Sequence, residues 1–284
     1  MTYKSSVSPA RRVSVVLVAH NSADVIGAAI ASIDADAEII VVDNASNDKL
    51  TQVVARSQVR LIRNSENLGY GTACNIGASA ASRDFILFMN PDARLRSGAL
   101  DKLVCAAISH ENIAAFNPRI INASGDAFQR RHSRLFDRAQ NKRLRRPLLA
   151  DCEIEMVTGA VLFCRKAHFD AVGGFDERIF LYFEDDDLAI RFKLAGFTLG
   201  YVHEAIAEHE QGHSTPSSLA LEYFRAFHFM RSMRYARQKH GLGFNLHYRQ
   251  ALAATNWLLA SITRNGRRKQ KYAAYLEALG SPGK

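Results

Sequence analysis

Three short runs constrain this chain more than anything else in it: Val13–Ala19 (VSVVLVA), Glu38–Val42 (EIIVV) and Phe85–Met89 (FILFM). Each is almost wholly apolar, rich in β-branched or aromatic residues, and too short for a stable helix, which is the pattern of a strand covered on both faces. Each stops abruptly in polar residues: His20-Asn21-Ser22, then Asp43-Asn44-Ala45-Ser46-Asn47-Asp48, then Asn90-Pro91-Asp92. Helix signals fill the gaps. Asn21–Asp24 offers caps for a helix through about Ser32, and Gln52–Ser57 reads as a short helix. Val59–Ile62 reads as a further strand, and Gly69–Ser82, small and apolar, as a helix able to pack closely. Strands alternating with helices predict an α/β fold with an open, mostly parallel sheet. Ligands of such sheets bind outside the carboxyl ends of the strands, so the polar clusters gather on the edge where chemistry is expected.

The rest of the 284 residues reads differently. Asn117–Ala150 carries Arg130, Arg131, Arg134, Arg138, Lys142, Arg143, Arg145 and Arg146 among few apolar residues, and predicts a mobile or partly helical surface insertion. Met156–Cys164 returns to strand, Asp187–Ala195 to helix and Thr198–His203 to strand, with His209 beyond it. From Ser217 the pattern is helical. Its many Arg and Lys residues are opposed only by Glu222 and Glu277, so this tail supplies the net charge of +9. A positive field favours anionic partners: nucleotides, phospholipid surfaces, pyrophosphate-linked lipids or nucleic acid. With 48% apolar and 23% charged residues, global disorder and collagen-like repeats are excluded. No apolar run approaches the roughly 18 residues of a spanning helix, and Met1–Arg12 lacks a signal-peptide core; a cytoplasmic protein is expected. Cys74, Cys105, Cys152 and Cys164 are widely spaced and are expected to be buried small hydrophobes.

Several clusters could carry chemistry, and each has a plainer reading. Asp43, at the end of a strand, could accept a hydrogen bond from a base imide or a ribose hydroxyl; an Asx-rich turn often only caps a helix. In Asn64–Gly77 (NSENLGYGTACNIG), Gly69 and Gly71 could let backbone approach a phosphate at a helix N-terminus, yet the third glycine of the dinucleotide fingerprint is missing. Asp92 is a carboxylate of the kind hard divalent cations prefer, and Asn90 can offer a carbonyl. Glu184-Asp185-Asp186-Asp187 follows Phe180, Tyr182 and Phe183. Crowded acids beside an apolar cluster raise one another's pKa, which suits a general base; a solvated helix N-terminus would account for Asp187 and Asp186. His209 and His213, four apart in a glycine-containing segment, add a modest metal signal.

The order of these clusters is more specific than any one of them. Val15–Asn21, Val41–Asp48, Asn67–Asn75, Phe88–Asp92, Gly173-Gly174-Phe175-Asp176-Glu177, Phe180–Asp185 with Asp187-Leu188-x-x-Arg191, and His209-x-x-Gly212-x-Ser214 follow in sequence. Over about residues 13–215 the chain resembles the family 2 inverting glycosyltransferases, and most of all their rhamnosyltransferase-like branch, which builds bacterial surface polysaccharides. The resemblance implies the GT-A fold, a catalytic domain over 11–216 and a basic helical extension over 217–284. It implies that Asp43 binds the base of a nucleotide-sugar with Ala19, His20 and Asn21 beside it. Asn67, Gly69, Tyr70, Gly71, Asn75 and Asn90 would line the rest of the donor site. Asn90-Pro91-Asp92 stands where the family has a D-x-D motif, with Asn in place of the first acid. Asp92 and His209 would hold Mg²⁺ or Mn²⁺, and Asp185, paired with Glu184, would be the base.

The implied partners are a dTDP- or UDP-sugar, with L-rhamnose a candidate, and a saccharide or lipid-linked saccharide acceptor. Two other classes stand against this. A nucleic-acid-binding protein would use the positive charge but leaves the acid cluster unexplained, and no nucleic-acid partner is expected. A non-catalytic nucleotide-sugar binder on the same fold would account for Asn90. The tail either packs as a helical cap or also lies against an anionic inner leaflet.

Overall fold

The computed structural model describes residues 8–55, 58–209 and 218–281. After a 3-10 turn the chain runs β1 (Val13–Ala19), α1 (Ala23–Ala31), β2 (Glu38–Asp43), α2 (Leu50–Val54), β3 (Arg60–Arg63), α3 (Tyr70–Ala80) and β4 (Phe85–Met89). β1 lies between β2 and β4, β2 pairs with β3, and all three pairings are parallel. Every residue of β1 and β4 is buried, as their unbroken apolar runs require.

The second half departs from simple alternation. It comprises β5 (Ala93–Leu95), α4 (Ala99–Ser109), β6 (Ile113–Ile121), α5 (Arg138–Arg143), β7 (Cys152–Ile154), β8 (Val161–Arg165), α6 (Lys166–Ala171), α7 (Glu184–Leu194) and β9 (Thr198–His209). β8 is antiparallel to both β4 and β6, β6 and β9 are parallel, and β5 and β7 run antiparallel to β9. The order is β3-β2-β1-β4-β8-β6-β9-β5, with β7 beside β9. The sheet is therefore parallel in its first half and mixed beyond it.

Several boundaries differ from expectation for identifiable reasons. β8 begins at Val161 rather than Met156, because the Asn117 amide holds Thr158 O and Val161 O at 3.0 and 2.6 Å in an irregular stretch. β9 continues past His203 to His209. Its register against β6 jumps from Val202 to Ile206, a bulge that interrupts the apolar run. The segment expected to be a surface insertion starts inside β6 and is anchored. Leu135, Phe136 and Leu144 are buried, and Asp137 and Gln140 form a reciprocal capping box on α5.

One apolar layer packs α1 and α4 on the sheet through Leu17, Ile26, Leu103 and Phe163. The other packs α3, α6 and α7 through Val16, Cys74, Phe88, Phe169 and Leu188. A Cβ at Gly77 would lie 2.3 Å from Val16 Cγ1, so α3 seats closer than any other residue there allows. Cys74 and Cys164 are buried as expected; Cys105 and Cys152 are exposed, on the outer face of α4 and at the edge strand β7.

The tail forms α8 (Leu219–Lys239), α9 (Leu246–Ile262) and α10 (Gly266–Gly280), with α10 packed on both others. Ser218, Asn245 and Asn265 cap them by accepting from backbone N–H groups. Met230, Met233 and Ala236 of α8 share one apolar cluster with Leu135, Phe136, Ile179 and Phe183. The tail is thus fastened directly to the turn that precedes α7.

Candidate active site

The carboxyl ends of β1 and β2 are in register, Ala19 opposite Asp43. Asp43 is buried. Its Oδ1 accepts from Ser46 N at 2.8 Å, Oδ2 has no hydrogen-bond partner among the described residues, and Arg63 Nε stands 3.4 Å from it. Asn21, at φ +53°, donates its N–H to Ser46 Oγ and accepts from Asn47 N, while His20 Nδ1 is 2.8 Å from Asn44 O. The first two polar clusters are therefore one structure. Asn44 organises it: its Oδ1 accepts from Asn64 Nδ2 and Leu68 N, and its Nδ2 donates to Asn67 Oδ1 and Gly69 O. That role was visible only as the residue after Asp43. A pocket of about 300 Å³ lined by Ser46, Asn47, Arg63 and Asn64 opens beside this cluster.

At the start of α3 the glycines admit protein. Gly69 has φ +86°, and a Cβ there would sit 2.3 Å from Phe180 O; one at Gly71 would meet Phe175 at 3.0 Å. Tyr70 N donates to Phe180 O and Tyr70 OH to Gly159 O, at 3.0 and 2.8 Å. The close approach expected for a phosphate is thus made by the 175–180 segment. Asn75 is likewise committed: its amide donates to Phe175 O and Glu177 Oε1 and accepts from Phe175 N, which fixes that turn.

β5 pairs with β9 so that Ala93 faces His209. His209 is the last residue of β9, not a residue beyond the strand. Its Nε2 lies 3.1 Å from Asp92 Oδ1 and 3.4 Å from Asn90 Nδ2. Both members of the Asp92–His209 pair are nearly buried. A carboxylate, an imidazole and an amide that can turn its oxygen inward suit a divalent cation that completes its shell from a ligand and water. Among the described residues no group of three or more His, Cys, Asp or Glu gathers for a metal, here or elsewhere, so this pair supplies only part of a coordination shell. Gly212, His213 and Ser214 lie outside the described residues.

Tyr182 and Phe183, at φ +67° and +70°, turn the chain sharply into α7, whose first turn is Glu184–Asp187. Such left-handed pairs in bulky residues are strained and persist only where packing imposes them. The four acids then meet four different environments. Asp185 Oδ2 accepts from Arg130 Nη1 at 2.7 Å and from Gly159 N at 3.2 Å. Asp186, fully buried, takes Arg130 Nη2 and Ser133 Oγ; burial outweighs Arg130 and lifts its pKa to about 7. Asp187, also fully buried, meets Arg191, Lys239 and His240 at 2.6 to 2.8 Å. Burial pushes its pKa up, but these partners overcome it and bring it to about 2. Glu184 Oε2 is buried without a hydrogen-bond partner among the described residues, and burial together with the Asp185 charge raises its pKa to about 8. The solvated reading of Asp186 and Asp187 is corrected: both are internal ion-pair centres. Arg130 was hidden in an Arg-rich stretch that also holds Arg131 and Arg134. A segment of two residues joins the parts, since Gly159 bonds both Tyr70 and Asp185 while Ala160 O accepts from Asn90 N at 2.9 Å.

A family model described as glycosyl transferase family 2 matches residues 14–172, more than half of the chain. The chain belongs to this family. This family 2 glycosyltransferase also matches, over residues 146–213, a model described as the N-terminal domain of galactosyltransferase. It is 29% identical to an N-acetylglucosaminyl-diphospho-decaprenol L-rhamnosyltransferase of Mycobacterium tuberculosis, over 82% of this chain and 87% of that one. It is 27% identical to rhamnosyltransferase WbbL of Escherichia coli K12, over 80% and 93%. The branch is thus the rhamnosyltransferase-like one. Among solved structures, GalNAc-T7 with UDP, GalNAc and Mn²⁺ superposes with a TM-score of 0.58 at 18% identity, over 81% of this chain and 54% of that one. The fold is GT-A.

Proposed function

We propose that this glycosyltransferase moves a sugar, L-rhamnose being the candidate suggested by its relatives' names, from a dTDP- or UDP-linked donor to a hydroxyl of a saccharide on a lipid diphosphate, with inversion, in surface polysaccharide synthesis. The observation that carries the reading is the Gly159–Ala160 bridge. It ties Asp185 to the Asn90–Asp92 turn, so a proton acceptor and a cation-binding pair belong to one rigid unit.

In this reading Asp43 and the Ala19–Asn21 backbone meet the base and ribose, and Asn67 and Tyr70 shape the wall behind them. Asp92 and His209, with Asn90, would hold Mn²⁺ or Mg²⁺, carboxylate and carbonyl oxygens being ligands that suit both. When bound, the cation neutralises charge building on the departing diphosphate. Asp185 takes the proton of the attacking hydroxyl, and Arg130 and Gly159 N–H fix its orientation. Glu184 keeps its own proton at neutral pH and so leaves the work of base to Asp185. One base and one in-line displacement invert the anomeric centre, so a β-linked dTDP-L-rhamnose would give an α-product.

The same reading holds the enzyme against an anionic membrane. Among the described residues no helix is long and apolar enough to cross one. α9, however, exposes Tyr248, Leu252, Leu259 and Ile262 along one face, and Arg264, Arg267, Arg268 and Lys269 follow at its end. An apolar helix face flanked by cations is the pattern of an interfacial helix. Incubation with a panel of nucleotide-sugars and saccharide acceptors, read as nucleoside diphosphate release, tests the function.

A further inference from the structure

An open groove of about 460 Å³ runs between α8 and α10, with Arg134 and, from the turn before α7, Tyr182 also in its lining. Arg225, Arg267, Arg268 and Lys271 line it with Arg134, and Glu222 is its single acid. Only Arg267 pairs with that acid, at 3.6 Å; among the described residues the other four cations have no carboxylate partner. Its walls are aromatic. Phe229 stacks near Tyr275 and meets Tyr182 edge-on, at ring distances of 6.4 and 5.9 Å.

This differs from the cavity of about 590 Å³ beneath the insertion, which is also lined by Arg and Lys residues. There Arg143 and Lys193 are both spent on Glu155. Nor does the α8–α10 groove belong to the donor edge, for none of its residues comes from β1–β4 or the turns that follow them. What connects it to the chemistry is Tyr182, which lines the groove and stands in the strained turn immediately before Glu184 and Asp185.

Resting on the acceptor reading above, we propose that this groove binds the diphosphate that links the acceptor saccharide to its lipid, and so presents the saccharide to Asp185. Cations without carboxylate partners, two of them (Arg134 and Lys271) resting over aromatic rings, match a group of two or more negative charges. The groove is a single compartment and suits one headgroup, whereas a nucleic acid needs a track of cations along many phosphates. The aromatic walls offer faces to the prenyl or sugar part on either side.

The test titrates geranyl diphosphate into the full chain by calorimetry, with EDTA present to silence the Asp92–His209 site. Geraniol and phosphatidylglycerol vesicles serve as comparators. Geranyl diphosphate should bind and geraniol should not. Arg225→Glu with Lys271→Glu should weaken binding by about tenfold or more, the usual effect of losing charge-assisted contacts. Arg225→Gln with Lys271→Gln serves the same purpose should the charge reversals fail to fold. In turnover assays both pairs should raise KM for a prenyl-diphosphate-linked saccharide and leave KM unchanged for the same saccharide on a neutral alkyl chain. Equal binding of geraniol, unchanged geranyl diphosphate binding in the variants, or loss confined to the vesicles would overturn the assignment. Absence of any nucleotide-sugar turnover by the unmodified enzyme would instead defeat the functional reading, while the calorimetry would still report on the groove.

Discussion

Arg130 donates to Asp185 at 2.7 Å across 55 residues of chain, and the same guanidinium holds the fully buried Asp186. An Arg-rich segment thereby supplies the counter-charge for an acid cluster that would otherwise repel itself. Removing one partner of a buried ion pair costs about 3–5 kcal/mol, because the other charge stays behind. Arg130 is itself 27% exposed and Asp186 can take up a proton near pH 7, so Arg130→Met should destabilise the fold by less than that, about 1–3 kcal/mol, in urea denaturation. Arg130→Lys should recover only part of it, since an ammonium cannot span two carboxylates as the planar fork does. A wild-type midpoint for Arg130→Met would remove Arg130 from this role.

Asp187 joins α7 to the end of α8 through Lys239 and His240. Its pKa of about 2 lies below the ordinary value of 3.8. A depressed carboxyl contributes stability that is complete above the unfolded pKa and is lost as pH falls through the folded one. Wild type should lose about 2 kcal/mol from this group between pH 4 and pH 2. Asp187→Asn should start less stable and lack that part of the acid transition. Parallel pH–stability curves for the two proteins would count against the account.

Glu184 behaves oppositely. Its pKa, raised from 4.5 to about 8 by burial and by Asp185, means that the fold favours the protonated form. Its stabilising contribution is complete below the unfolded pKa and is lost as pH rises through about 8. Glu184→Gln, which cannot ionise, should flatten the decline in Tm between pH 5 and pH 9. Asp186 titrates nearby, so part of the decline should remain.

The Asp92–His209 pair predicts a cation-linked donor site. Asp92→Ala and His209→Ala should each weaken nucleotide-sugar binding in Mn²⁺, measured calorimetrically, and the loss should vanish in EDTA. Equal donor affinity of the unmodified protein with and without EDTA would take the cation out of the mechanism.

The sequence was most legible where one pattern admits one structure. β1 and β4 are apolar without a break because both faces are covered, and their polar ends fall on one edge by topology alone. The family order of motifs singled out Asp43, Asp92, Asp185 and His209 as candidates, and the structure sets Asp92 against His209. Arg130 was illegible because a half-buried, paired guanidinium and a solvated one look alike in an Arg-rich stretch. The end of β9 was hidden by its bulge, and β6 by charged neighbours that belong to the segment after it. The glycines at 69 and 71 gave the right signal, a need for close approach, but not what approaches: it is Phe180 and Phe175.

The central claim is that Asp185 acts as the base within the Gly159–Ala160 unit, and steady-state turnover of Asp185→Asn tests it most directly. The substitution keeps the shape of the side chain, so donor affinity should change little. Turnover, read as acceptor-dependent release of nucleoside diphosphate, should fall by roughly 10²–10⁴-fold, the usual contribution of general base catalysis. Near-normal turnover in Asp185→Asn, with turnover abolished in Glu184→Gln, would contradict the account and move the base by one residue.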